Sequence, residues 1–357
     1  MPLRVGIVGC GAIAQAVHIP ILTQLPGVQV AALAEPDPEQ RRRAQQLSST
    51  ATGFESAGAL IAQATLDAVV ICSPTACHAE HALAAVERGL HVYLEKPLAA
   101  SLADGVALRD AWRRSGVIGM VGFNYRCNEL ICRLKEQLRL GRGGPVVAAR
   151  TTFCAGPGEL PAWKQRRESG GGALLDLGSH HVDLLPFLLG QKIRAVRATL
   201  WSRRTEDDCA LLELELDGGI RVQSLFAFDA AAADRIEIQG ERGTLVVERS
   251  RSWDAEFSPG SAEGGLLRIP RWLKVIGRIR YPVEKLRSPL HEPSYRLALA
   301  RFVAAIRGTA ESTPSFEDGL ACLAVLEAAE ESARLDKRVD ICDIQRRSQM
   351  RESYRGA

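Results

Sequence analysis

The stretch Leu3-Arg4-Val5-Gly6-Ile7-Val8-Gly9-Cys10-Gly11-Ala12-Ile13-Ala14 decides the fold. Its first six residues are mostly apolar and read as a buried strand. A G-x-G-x-x-A turn follows at once, and a helix-like pattern occupies residues 12–25. Glycine at 9 permits the tight turn, and glycine at 11 lets a pyrophosphate approach the backbone. The small Ala14 lets helix and strand pack closely. Ala12 and Ile13 open the helix, whose free N–H groups and positive dipole end suit phosphate oxygens. A glycine turn alone is a weak signal; placed between a strand and a helix it has the context that dinucleotide binding requires.

Working outward, apolar runs at 28–34, 66–72, 91–94 and 117–122 alternate with helical patterns at 38–47, 79–88 and 102–114. Gly89 and Gly116 sit where helix C-caps belong. Short, fully apolar strands alternating with helices predict a parallel sheet covered on both faces. The pattern changes after Arg126. A helix is expected over 128–140, a strand over 146–154, a Gly/Pro-rich loop over 155–169 and a helix over 172–189. Several strands follow, among them 211–216 and 220–228 around Asp217-Gly218-Gly219, and 235–239 and 244–248 around Glu241-Arg242-Gly243. Their half-polar alternation predicts antiparallel pairing in one large sheet. Helices at 295–306 and 316–335 complete the series. The reading is α/β: a doubly wound parallel sheet in a domain at 1–123, an α+β domain at 124–340 and a polar tail at 341–357.

The 357 residues are 46% hydrophobic and 24% charged, with a net charge of +3. That is the composition of a soluble globular protein, too mildly basic to argue for nucleic acid. Met1-Pro2-Leu3-Arg4 shows no signal-peptide pattern, and no apolar run approaches bilayer length, so a cytoplasmic protein is expected. The nine cysteines, Cys10, Cys72, Cys132 and Cys322 among them, are scattered and lack zinc-site spacing, which suits buried reduced thiols.

An acid at the end of the second strand should accept from an adenosine ribose, and Glu35 stands there, with Asp37 two residues on. Its charge favours NAD over NADP; Arg41, Arg42 and Arg43 are a counter-signal, because one of them could pair with a 2′-phosphate. Ser73-Pro74-Thr75 follows another strand at its carboxyl end and can border the nicotinamide. His78 just beyond is either a ligand neighbour or a helix-start histidine. Lys96, in His91-Val92-Tyr93-Leu94-Glu95-Lys96-Pro97, is one of only seven lysines among 45 basic residues. Unlike arginine, a partly buried lysine can handle protons. In the segment 170–183, Asp176, His180 and Asp183 recur at i, i+4 and i+7 on an otherwise apolar helix. Satisfied core hydrogen bonds, a shared cation and a proton-handling site are the three readings of that stripe. No third metal ligand stands nearby in sequence, so no metal is expected. His181 points about 100° away and is read as structural.

Together these residues resemble the Gfo/Idh/MocA family of glucose–fructose oxidoreductase and inositol dehydrogenase-like enzymes. The resemblance runs from about residue 3 to 339 and rests on the glycine turn, Ser73-Pro74-Thr75, His78, Glu95-Lys96-Pro97, Asn124-Tyr125-Arg126 and Gly-Gly-x-x-x-Asp-x-x-x-His-x-x-Asp at 171–183. It implies an N-terminal Rossmann domain, a C-terminal domain with a mostly antiparallel sheet that serves as an oligomer interface in a homodimer or homotetramer, and NAD(P)-dependent oxidation or reduction of a hydroxyl or ketone on a sugar, nucleotide sugar or cyclitol. It implies Lys96 as the catalytic lysine before a cis Pro97, with Glu95 setting its position. It implies Asp176 and His180 in substrate-binding and acid/base roles, and Tyr125, Arg126 and Trp163 near the substrate, with Trp163 and Lys164 in a specificity loop. Glu35 in place of the commoner Asp, and Phe123 in place of a frequent tyrosine, depart from the family pattern. An NAD-recycling glycosidase and a non-catalytic nucleotide-binding regulator are alternatives on the same fold.

Residues 266–287 form a basic amphipathic segment carrying Arg268, Arg271, Lys274, Arg278, Arg280, Lys285 and Arg287, with Pro270 suited to start a helix and Pro282 to end one. Packing on the sheet or on a partner subunit is the leading reading, and contact with an anionic lipid surface the second.

Overall fold

The computed structural model describes residues 1–260 and 280–347, which fall into two compact units. The first comprises Met1–Asn124, Glu168–Gly170 and Ser294–Leu323. Its strands are β1 (Leu3–Val8), β2 (Val28–Ala34), β3 (Thr52–Phe54), β4 (Ala68–Ile71), β5 (His91–Leu94) and β6 (Gly119–Val121). They form one parallel sheet in the order β3-β2-β1-β4-β5-β6. Val5, Ile7, Leu33, Val69, Val70, Val92 and Leu94 are fully buried, as expected of strands covered on both faces. The crossover helices are α1 (Ile19–Gln24), α2 (Pro38–Leu47), α3 (Ala57–Gln63), α4 (His78–Glu87) and α5 (Leu102–Ser115). Asp37 caps α2 by accepting from the Glu39 and Gln40 amides, Ser101 caps α5 through the Asp104 amide, and Gly116 closes α5 in the left-handed conformation at φ 73°. The order of the strands reverses between β1 and β4, and ligands of such sheets bind beyond the carboxyl ends at that point.

Two elements of this unit escaped the sequence reading. The three-residue β3 and the seven-residue α3 are too short to show a period. The helix expected over 12–25 also begins with a π-helical turn, Ala14–His18, before α1.

The second unit comprises Tyr125–Arg167, Gly171–Pro293 and Ala324–Ala357. It contains α6 (Glu129–Arg139), α7 (Ser179–Leu189), and the strands β7 (Val146–Cys154), β8 (Ile193–Trp201), β9 (Cys209–Leu216), β10 (Arg221–Ala227), β11 (Ala233–Gly240), β12 (Gly243–Glu248), β13 (Glu256–Pro259) and β14 (Val339–Asp340). They make one sheet in the order β13-β12-β11-β7-β10-β9-β8-β14, antiparallel except for the β7–β10 pair. The alternation predicted for 211–216 holds in β9 over Leu211–Leu214, where Leu212 and Leu214 are buried while Leu211 and Glu213 are exposed; it breaks at Glu215, which is buried and paired with Arg194, Arg221 and Arg338. A π-helical turn, Leu174–Gly178, precedes α7, so the helix expected over 172–189 carries a wider turn, and 176, 180 and 183 depart from the ideal 3.6-residue stripe.

Three further expectations change. Pro282 lies in the first turn of α8 (Arg280–Arg287) rather than ending a helix, because its fixed φ and missing N–H suit that turn. The rest of the basic segment, 266–279, lies outside the described residues. The stretch read as a polar tail opens with a helix at 341–347 whose Ile341 and Ile344, three apart, are buried; residues 348–357 lie outside the described residues. Cys132 is exposed although its neighbours Ile131 and Leu130 are buried, because it occupies the outer face of α6; none of the nine cysteines is in a disulfide. The last long helices are α9 (Ser294–Ile306) and α10 (Phe316–Leu335). No described helix is long and apolar enough to cross a membrane, and no described group of His, Cys, Asp and Glu could hold a metal ion.

Candidate active site

In the first unit the glycine turn is built by a close approach. Gly9 has φ 83°, and a Cβ there would lie 2.6 Å from the Ser73 amide nitrogen. Only glycine lets the turn after β1 touch the backbone after β4. At Gly11, by contrast, a Cβ would meet nothing within 4 Å. Open space over a glycine at the start of a helix fits a pyrophosphate on the backbone amides of Ala12 and Ile13. The Glu35 carboxylate, at the end of β2, accepts from the Cys10 amide at 2.8 Å and from the Asp37 amide at 3.2 Å. Burial pushes the Cys10 thiol up to about 12, helped by the Glu35 charge, so this cysteine is inert. Arg41 turns back onto the Glu35 and Pro36 carbonyls and pairs with Glu55 at 3.6 Å; Arg42 and Arg43 pair with Glu39.

Beyond β5, Glu95 is the centre of a buried polar group. His18 on the π-helical turn, itself fully buried, meets the Glu95 carboxylate with Nε2 at 2.7 Å. Glu95 also accepts from the Lys96 amide at 3.3 Å. Burial opposes its ionisation, but the His18 hydrogen bond and the charges of His18, Lys96 and His78 outweigh that and hold the carboxyl below its ordinary value. Lys96 follows, and the Lys96–Pro97 peptide is cis, as the family resemblance implied. His78 is 2% exposed, with Nδ1 2.7 Å from the Pro97 carbonyl and Nε2 2.9 Å from the Ser73 carbonyl. Both nitrogens are thus engaged inside the unit, and the ring braces two loops. His81 extends the group through Nδ1, 3.0 Å from the Ser73 hydroxyl. Thr75 is buried beside them and Pro74 precedes the turn.

The second unit holds the other expected residues. Gly171 approaches the Lys164 carbonyl so closely that a Cβ would lie 2.3 Å from it, and its amide donates to the Arg166 carbonyl at 2.9 Å. That fold-back carries Lys164 to Asp176, where Nζ and Oδ2 are 2.7 Å apart. Trp163 lies beside it, its ring centroid 5.3 Å from Nζ. The His180 imidazole stacks on Tyr125, with centroids 4.2 Å apart and planes at 17°. Asp183 forms a two-pronged ion pair with Arg126, Nε to Oδ2 at 2.8 Å and Nη2 to Oδ1 at 2.5 Å. Asp176, His180 and Asp183 therefore serve three different partners. His181, read as structural, is fully buried and reaches Asp234 at 3.1 Å.

Two residues that sequence reading missed organise these groups. Arg249 stands over the Tyr125 ring at 3.7 Å, bonds the Tyr125 hydroxyl, pairs with Asp234 at 2.7 Å and pairs with Glu292. Burial alone would raise the Asp234 carboxyl, but the Arg249 charge and the His181 hydrogen bond hold it well below the usual carboxylate range. Burial likewise opposes the Arg249 charge, and Tyr125 and Asp234 overcome it. Nothing local marks Arg249, an arginine at the end of an alternating strand. His18 did carry a signal: it interrupts the apolar stripe of Ala14, Val17, Ile21 and Leu22, all buried.

Comparison with known proteins fits this arrangement. The reductase "dTDP-3,4-didehydro-2,6-dideoxy-alpha-D-glucose 3-reductase" of Streptomyces violaceoruber is 29% identical over 273 residues, 75% of this chain and 78% of that protein. Inositol 2-dehydrogenase of Rhizobium meliloti is 27% identical over 352 residues, 96% of this chain and 100% of the relative. Among solved structures, the WlbA dehydrogenase from Bordetella pertussis, in complex with NADH and UDP-GlcNAcA, superposes with a TM-score of 0.83 at 25% identity, covering 95% of this chain and 97% of that one. Residues 3–123 match the oxidoreductase family with an NAD-binding Rossmann fold and residues 135–341 its C-terminal alpha/beta domain, and the chain belongs to this Gfo/Idh/MocA family.

Proposed function

We propose that this protein is an NAD(P)-dependent oxidoreductase that moves a hydride between a nicotinamide cofactor and a hydroxyl or ketone of a sugar, nucleotide sugar or cyclitol, with Lys96, His180 and Asp176 as its working side chains. The observation that carries the reading is Lys96 itself. It leaves the carboxyl end of β5, in a sheet whose glycine turn fits a dinucleotide, on a segment fixed by Glu95–His18 on one side and by Pro97–His78 on the other. When bound, the nicotinamide supplies the hydride acceptor or donor. Gly9, Gly11, Ala12 and Ile13 hold the pyrophosphate, and Glu35 the adenosine ribose. Ser73, Pro74 and Thr75 border the nicotinamide. Lys96 donates a hydrogen bond to the reacting oxygen and stabilises negative charge that develops there. His180 takes the hydroxyl proton in oxidation and returns it in reduction. Asp176, held by Lys164, orients the substrate, and Tyr125, Arg126 and Trp163 shape its surroundings.

NAD is the favoured cofactor. The Glu35 carboxylate repels a 2′-phosphate, and Arg41, Arg42 and Arg43 are all engaged with neighbouring carbonyls or carboxylates. A cytoplasmic homodimer or homotetramer, joined through the eight-stranded sheet, completes the proposal. A screen of nucleotide sugars, hexoses and inositols for NAD reduction identifies the substrate. With it, Lys96→Ala lowers kcat by at least ~100-fold at nearly unchanged NAD affinity. Wild-type turnover in that variant would end the assignment. Release of an aglycone without net NADH would replace it with a glycosidase.

A further inference from the structure

His78 differs from His18 and His91 of the same unit. His18 faces a single acceptor, the Glu95 carboxylate, and its Nδ1 has no partner among the described residues. The His91 Nδ1 accepts from the Ile118 amide at 2.9 Å. Each of those arrangements is available to a ring with one N–H. His78 instead has a backbone carbonyl oxygen on each nitrogen, Pro97 on Nδ1 at 2.7 Å and Ser73 on Nε2 at 2.9 Å. A carbonyl oxygen can only accept, and a neutral imidazole has one donor and one lone pair. In either neutral tautomer one of these contacts would set lone pair against lone pair. With both nitrogens protonated, each contact becomes a charge-assisted hydrogen bond.

We propose that His78 is held as a doubly protonated imidazolium whose two N–H groups tie the Lys96-Pro97 segment to the Ser73-Pro74-Thr75 loop, making it a positioning residue for Lys96. The counter-charge is Glu95, a buried carboxylate near enough to favour the cation. His81, one turn further along α4, opposes the charge. Complete burial is the largest influence and leaves the imidazole below its ordinary value, although the two carbonyl acceptors and Glu95 push it up. The acceptor geometry stands against that direction, because losing a proton converts one of the two short contacts into a repulsion. The tie has a mechanical consequence. The Ser73 amide is the group that Gly9 approaches, so a single ring joins the glycine turn, the loop after β4 and the lysine.

The charge state is read directly, and without substrate, by nitrogen-15 NMR of the full-length protein labelled at histidine, with His78→Gln assigning the signal. Two protonated ring nitrogens are expected at about pH 8, where ordinary histidines are neutral. The pattern of a neutral tautomer there would overturn the imidazolium. The positioning role rests on Lys96 acting at the reacting oxygen. Both N–H donors of glutamine sit on one nitrogen, whereas the two carbonyls lie against different nitrogens of the ring, so glutamine cannot reproduce the tie. His78→Gln is therefore expected to lower kcat by roughly 10- to 100-fold, with NAD binding measured by fluorescence titration changed less than about 3-fold. Unchanged kcat in a folded His78→Gln would overturn that role. Because the wild-type spectrum needs no turnover, an absent dehydrogenase activity and a neutral His78 are separate results.

Discussion

Replacing Arg249 with methionine gives a sharp test of how the second unit is held together. Arg249 is the cation between Asp234 and Glu292, whose side chains are 9% and 8% exposed, and it caps the face and hydroxyl of Tyr125. Methionine fills much of the volume but leaves two buried carboxylates without their cation. Breaking a buried pair from one side costs about 3–5 kcal/mol. For a unit of this size each kcal/mol moves the melting temperature by about 2–4 °C, so a fall of roughly 6–20 °C is expected at about pH 7 in a calorimetric scan. The sign of the pH dependence follows from Asp234. Its folded value is depressed, so it contributes stability that is present above the unfolded value of about 4 and lost as the pH falls through the folded one. The variant lacks the largest influence holding that value down, and the gap between wild type and variant narrows as the pH is taken below about 4. Adding Asp234→Asn and Glu292→Gln removes the stranded charges and recovers at least half of the loss. A melting temperature within about 2 °C of wild type in Arg249→Met would refute the argument.

Other perturbations probe the nucleotide half. Gly9→Ala forces a Cβ to within 2.6 Å of the Ser73 nitrogen at a φ of 83°, and NAD affinity in an equilibrium titration falls roughly 5- to 150-fold, the cost being about 1–3 kcal/mol of strain. Glu35→Ser removes the carboxylate at the ribose position; the ratio of kcat/KM for NADP to that for NAD rises at least ~10-fold, and an unchanged ratio would remove Glu35 from cofactor selection.

Much of the fold was legible because it is written locally. The apolar runs of β1, β2, β4 and β5 are buried on both faces, and burial on both faces leaves no polar positions to obscure the pattern. The hairpin at Asp217-Gly218-Gly219 has the residues its geometry demands, with Gly219 at φ 82°. The short β3 and α3 were not legible, since three and seven residues hold too little of a period. The π-helical turns before α1 and α7 left no trace either, because an extra residue in one turn leaves composition unchanged.

The sequence by itself determined the glycine turn, the two kinds of sheet and the candidate residues Lys96, Asp176 and His180. All depend on neighbours a few residues apart. Tertiary structure alone decided what each side chain touches. It put His78 between carbonyls 5 and 19 residues away. It brought Arg249 to Tyr125 across 124 positions, and returned Ser294–Leu323 to the first unit between β13 and β14 of the second sheet. A buried charge must find its partner wherever the chain passes. The local pattern therefore shows which residues can do chemistry, and the folded chain fixes the charge and direction with which they do it.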